Sequence, residues 1–94
     1  MRTIERASAF KRDYRRVKAT PRHGKDIDAL LSNIVAALVA DQALPTHNRD
    51  HALSGNWAGY RECHIKPDLL LIYRKPDAST LRLARLGSHN LLFS

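Results

Sequence analysis

The run Leu69-Leu70-Leu71-Ile72-Tyr73 constrains this chain most, because five successive apolar residues between two turns leave no face for water. Alternate side chains of a strand point to opposite faces, so both faces of this segment must be covered. That makes it a central strand. It lies between Lys66-Pro67-Asp68 and Lys75-Pro76-Asp77, turn chemistry that also sets off strand-like runs at Trp57 to Ile65 and Ser79 to Leu86. Links this short favour an antiparallel meander.

The other half of the chain reads differently. Residues 2 to 7 alternate weakly, as a first strand would, and Ser8 stands where a helix N-cap belongs. Phe10, Tyr14 and Val17 then recur at i, i+4 and i+7, which predicts an amphipathic helix with basic flanks. Thr20-Pro21 ends it. Ile27, Leu30, Leu31, Ile34, Val35 and Leu38 repeat at helical spacing behind Asp26 and Asp28, acids favourably placed at the N-terminal end of a helix dipole. Ala43 to Gly55 keeps no period and reads as a loop, with a short strand near Ala52 and Leu53. The predicted fold class is α+β: an N-terminal strand and a two-helix hairpin laid on a mainly antiparallel sheet of four or five strands, ending in a short C-terminal segment. Domains usually run about 100 to 150 residues, so the 94 residues here predict one domain over 1–94.

The formal charge of +7 is unevenly distributed. Residues 1 to 25 hold nine Lys or Arg against Glu5 and Asp13, whereas residues 26 to 94 hold seven bases and seven acids. The excess therefore belongs to one region. It reads as a solvated helix face or as a surface for a phosphate backbone or acidic chain, and the scarcity of opposing acids favours the second. Lys11, Arg12, Arg15 and Arg16 are the candidate contacts. A single cysteine, Cys63, excludes an internal disulfide and a Cys-based zinc finger, and it suits a reducing cytoplasm. The longest apolar stretch, Ile34 to Ala40, falls far short of the ~18 to 20 residues that span a bilayer, so no membrane role is predicted.

Three of the five histidines, His51, His64 and His89, lie in the charge-neutral part, at places a sheet could bring to one rim. Imidazole gives or takes a proton near neutral pH, which suits paired histidines to general acid and base catalysis. Asp68 is a nearby carboxylate. Zinc is a competing use of three histidines, but the chain has no HExxH and no Cys pair, so neither metal nor cofactor is predicted. The four glycines are scattered and form no phosphate loop, and no nucleophile elbow surrounds a serine. Arg85, four residues before His89, could bind a phosphate bidentately, or it could form a salt bridge on the sheet surface. Trp57, Tyr60 and Phe93 could stack RNA bases, although aromatics are more often core. Cys63 reads as a small buried hydrophobe.

Taken in order, His51-Ala-Leu-Ser-Gly-Asn-Trp57-Ala-Gly-Tyr60-Arg-Glu-Cys-His64-Ile-Lys-Pro-Asp68, the Leu69–Tyr73 run, Ala84-Arg85-Leu-Gly-Ser-His89 and Phe93 form a recognisable pattern. It resembles the YafQ-type mRNA interferase toxins of the RelE/ParE superfamily. The match covers about residues 49 to 94, and the first half agrees in layout more than in letters. The resemblance implies a small RelE-like fold and a bacterial type II toxin that enters the 30S A site, meets 16S rRNA and cuts mRNA. It also implies a cognate antitoxin of the DinJ or RelB kind, with a ribbon-helix-helix domain, in a heteromeric complex. No metal or cofactor is implied. The positions matching His51, His64, Asp68 and His89 form the acid/base set of such toxins, while those matching Arg85 and Phe93 support the phosphate and the RNA. Many relatives carry Trp directly after the aspartate where this chain has Leu69. A ParE-like gyrase inhibitor shares the fold without needing the histidines, and a non-catalytic ribosome- or RNA-binding module is the remaining alternative.

Overall fold

The computed structural model describes residues 2–93. Five strands form one sheet in the order β1-β5-β4-β3-β2: β1 (Thr3–Arg6), β2 (His51–Ala52), β3 (Arg61–Lys66), β4 (Leu69–Asp77) and β5 (Thr80–Gly87). β1 pairs parallel with β5 and the other neighbours pair antiparallel. The apolar run thus becomes the central strand β4, as its two uncovered faces required. Leu69, Leu71 and Tyr73 join one buried cluster with Phe10, Val17, Ile27, Ile34 and Leu38. Leu70 and Ile72 join a second cluster on the opposite face with Ala84 and Leu92. Each such side chain taken fully from water stabilises by about 1.5–3 kcal/mol, so the run anchors both layers.

Helices α1 (Ser8–Ala19) and α2 (Ile27–Val39) cover the first face. Their apolar stripes are those the spacing predicts, with Asp13 as an added buried member. Ser8 is not the N-cap: it begins the helix, and Ala7 takes the cap position with its N–H bonded to the Leu83 carbonyl at 3.0 Å. Pairing with β5 continues through Ala7, and this sets where the helix can start. Asp28 lies beside α1 as well as in the first turn of α2, accepting from Lys18 Nζ at 2.5 Å and from the Tyr14 hydroxyl.

The second face is covered by the loop at 53–60 and by a short helix, α3 (His89–Phe93). The strand predicted from Trp57 starts only at Arg61, because Gly55–Trp57 forms a single 3-10 turn and Gly59 adopts φ 90°. Trp57 and Tyr60 pack edge to face, ring centroids 5.2 Å apart, against the second cluster. Trp57 is thereby a lid residue and not a strand residue.

The turn between α1 and α2 depends on Gly24. A Cβ at this position would lie 2.1 Å from the Lys18 carbonyl oxygen and 2.8 Å from that of Thr20, both rigid backbone atoms. Gly24→Ala is expected to destabilise the fold by about 1–3 kcal/mol, the usual cost of forced overpacking, as a lower denaturant midpoint would show.

Candidate active site

Cross-strand register assembles the candidate residues. Cα partners across a sheet share a face, and two adjacent rows carry the relevant side chains. One row runs His51, Glu62, Ile72, Arg85 across β2, β3, β4 and β5; the next runs His64, Leu70, Gly87. Because Leu70 and Ile72 belong to the cluster away from α1 and α2, His51, Glu62 and His64 lie on that same second face.

Glu62 sits between the two histidines. Its carboxylate is 5% exposed, with Oε2 3.2 Å from His51 Nε2 and Oε1 4.0 Å from His64 Nε2. His51 Nδ1 also lies 2.7 Å from the Arg49 carbonyl oxygen, so both ring nitrogens face oxygen acceptors. The loop before β2 is secured in turn. Asp50 accepts from the Tyr73 hydroxyl at 2.6 Å and from Arg61 Nε at 3.3 Å, with Tyr73 wholly buried; burial and this bond both push the Tyr73 hydroxyl upward in pKa. Asn48 Nδ2 donates to the His64 carbonyl at 2.8 Å, beside the register shift between His64 and Lys66. These bonds hold the backbones that carry His51 and His64, and of the residues that make them only Tyr73 stands out in the sequence, as part of the apolar run.

The remaining candidates are distributed around this pair. Asp68, in the turn between β3 and β4, pairs with Arg22 at 2.8 Å and lies 3.5 Å from His23 Nε2, both on the α1–α2 connection. The carboxylate facing His51 and His64 is therefore Glu62, and Asp68 faces the basic turn. His89 opens α3 two residues beyond Gly87, exposed, with its ring 5.0 Å from that of Phe93. Arg85 binds Asp13 of α1 through Nε at 2.6 Å and a terminal nitrogen at 3.2 Å. Tyr60 carries the Arg74 guanidinium over its ring at 5.6 Å. Leu69, where many relatives of the resembled family have Trp, is 1% exposed and belongs to the helix-side core, so it offers no surface for stacking.

Lys11, Arg12 and Arg15 are exposed and form no ion pair among the described residues, as the segment's scarcity of acids suggested. Arg16 differs: it donates to Asp13 at 2.6 Å. Cys63 is fully buried, and burial foremost pushes its thiol up to about 12, which keeps it unreactive.

Two of the missed residues left signals in the sequence. Glu62 stands two residues before His64, hence on the same strand face. Asp13 falls at i+3 from Phe10 and i−4 from Val17, a charge inside an apolar stripe.

The chain matches, over residues 2–94, the family model described as the bacterial toxin of type II toxin-antitoxin systems, YafQ. It is 36% identical over 92 residues to the mRNA interferase toxin YafQ of Escherichia coli K12, covering 98% of this chain and 96% of that one. A chain of the E. coli DinJ-YafQ complex superposes with a TM-score of 0.84 at 35% identity over 100% of both chains. A metal-bound toxin from Helicobacter pylori superposes with a TM-score of 0.85 at 42% identity, over 99% of this chain and 100% of that one. The metal is a property of that toxin; among the described residues here, no three His, Cys, Asp or Glu side chains converge to hold an ion. No helix among them is long and apolar enough to cross a membrane. With the family model spanning nearly every residue and the fold and sequence likeness covering the whole chain, this protein belongs to the YafQ family of bacterial toxins of type II toxin-antitoxin systems.

Proposed function

We propose that this chain is an mRNA endoribonuclease that works in the ribosomal A site by metal-independent acid/base catalysis. The observation that carries the reading is the second sheet face, on which Glu62 lies 3.2 Å from His51 and 4.0 Å from His64, next to the strand end that leads into His89, while Arg85 follows on β5 with its side chain turned to Asp13. RNA brings its own nucleophile. The protein must orient the 2′-hydroxyl, take its proton, steady the phosphorane and protonate the departing 5′-oxygen.

In this mechanism His64 and His89 carry the two proton transfers, one as base and one as acid. The 2′-oxygen bonds to phosphorus as its proton passes to the base; the P–O5′ bond then breaks, and the acid delivers a proton to O5′. Arg85 neutralises charge building on the non-bridging oxygens. Glu62, the carboxylate that faces His51 and His64, orients them, His51 shares protons with it, and Asp68 acts from the turn between β3 and β4, where Arg22 holds it. Phe93, beside His89, and the Trp57–Tyr60 pair supply aromatic surface for bases, while Lys11, Arg12 and Arg15 dock on the phosphates of rRNA.

The partner that silences the toxin is, by this reading, a DinJ-like antitoxin, the kind of protein joined to the E. coli relative in its complex. A groove of about 760 Å³ between α1 and α2 has apolar walls that include Phe10, Leu31, Val35 and Val39, and a rim with Arg6, Lys11 and Arg15. Such a surface suits an acidic amphipathic segment. An antitoxin seated there would occupy the cations used for docking.

End mapping of mRNA cut on intact ribosomes tests the mechanism. The expected products carry a 2′,3′-cyclic phosphate and a 5′-hydroxyl, because the 2′-oxygen displaces O5′. Ends bearing 5′-phosphates, the mark of attack by a metal-activated water, would overturn it.

A further inference from the structure

Asp13 is a carboxylate at 2% exposure, inside the apolar stripe of α1. A group so placed must be fully satisfied to be tolerated. Oδ2 accepts from Arg85 Nε at 2.6 Å and from the Leu86 N–H at 3.0 Å; Oδ1 accepts from Arg16 at 2.6 Å and from an Arg85 terminal nitrogen at 3.2 Å. Pairing of β1 along β5 reaches Arg6↔Leu83, and beyond it Asp13 takes the place of a strand at the Leu86 N–H. Burial pushes the Asp13 carboxyl upward, but the bonds from Arg85, Leu86 and Arg16 outweigh it and hold the group below its ordinary range. The carboxylate is ionised.

The side-on grip on Arg85 engages two of the five guanidinium N–H donors and leaves three for another oxyanion. It also fixes the guanidinium plane. A lone Arg85–Asp13 pair would be neutral and would do little for a phosphorane. Arg16, sharing the same carboxylate, brings the group to a net charge of +1.

We propose that Asp13 is the positioning residue of the phosphate-binding guanidinium, and that Arg16, Asp13 and Arg85 work as one unit with a single net positive charge. The proposal rests on the nuclease reading, and it moves Arg16 from ribosome docking into the support of the site.

The test combines cleavage kinetics on ribosome-bound mRNA with NMR hydrogen exchange at Arg85 Nε, on wild type, Asp13→Asn, Arg85→Ala and the double variant. Asp13→Ser is measured beside them, because a serine still accepts hydrogen bonds if the amide proves too disruptive. Removing an aimed donor typically costs about 10²–10³ in kcat, and Asp13→Asn is expected to approach the loss of Arg85→Ala with KM changed only a few-fold. The double variant should be no worse than Arg85→Ala, since the two act through one group. Arg85 Nε–H should exchange slowly in wild type and quickly once Asp13 is replaced. Near-normal kcat in both Asp13 variants, or losses that multiply in the double variant, would refute positioning. So would equally fast exchange in wild type and Asp13→Asn. A wild-type protein that cuts no mRNA would refute the nuclease reading, a result read separately from the exchange measurement.

Discussion

His64→Ala combined with His89→Ala is expected to abolish mRNA cleavage and growth arrest while leaving the fold and antitoxin binding intact. The two side chains are assigned the two proton transfers, and each such transfer contributes typically about 10²–10⁴-fold. Loss of one should leave slow residual cutting; loss of both should leave none detectable in an end-mapping assay. The fold should survive because neither ring belongs to a core cluster: His64 is part-exposed on the second sheet face, and His89 is exposed at the start of α3. Loss of the exposed His89 ring should cost within about 0.5 kcal/mol and loss of His64, whose side chain is 19% exposed, on the order of 1 kcal/mol, so the double variant should remain folded with a modestly lowered unfolding midpoint. Growth arrest that persists in the double variant would reject catalysis in favour of a binding module. Altered supercoiling of plasmid DNA by the wild type would point instead to gyrase inhibition.

The second large effect concerns docking. Reversing Lys11, Arg12 and Arg15 to glutamate together should weaken ribosome binding on the order of 100-fold at moderate salt, and should lower the salt slope by about 2, since each phosphate contact contributes roughly 0.7–0.9 to it. These three cations have no ion-pair partner among the described residues, so reversal breaks no internal bond. Arg16 is left in place for the opposite reason, its bond to Asp13. Binding measured by sedimentation over a range of salt gives the answer. An unchanged slope would remove α1 from the RNA footprint.

Gly24 and Leu69 show how backbone and core set limits on function. The glycine lets the chain turn tightly enough to bring Arg22 and His23 to Asp68. Leu69 follows Asp68 directly, yet it points into the helix-side core and offers no surface for stacking, so under the proposed nuclease function base stacking would rest on Phe93 and the Trp57–Tyr60 pair.

Much of the architecture was legible in one dimension because it depends on local periodicity. The helical stripes, the doubly apolar Leu69–Tyr73 strand and the Lys66-Pro67-Asp68 turn each encode their element within a few residues, whereas Lys75-Pro76-Asp77, which reads as a turn in the sequence, is the end of β4, and the chain turns only at residues 78–79. Boundaries were less legible: Ser8 and Trp57 shifted roles because Ala7 is held by Leu83, and Gly59 breaks the extended run. The histidines were visible as residue types suited to proton transfer, and the charge excess was visible as a count.

Fold class, the inventory of reactive groups and the confinement of the excess positive charge to residues 1–25 follow from the sequence alone. The tertiary structure decided which groups meet. Register across β2, β3 and β4 brought Glu62 between His51 and His64, and the packing of α1 on β5 brought Asp13 to Arg85 and Leu86 across 72 and 73 residues of chain. The physical reason is that a hydrogen bond between distant residues leaves no period in the sequence. It exists only once the apolar layers have set the spacing between helix and sheet, and a buried carboxylate then has to find its donors among whatever that packing places within reach.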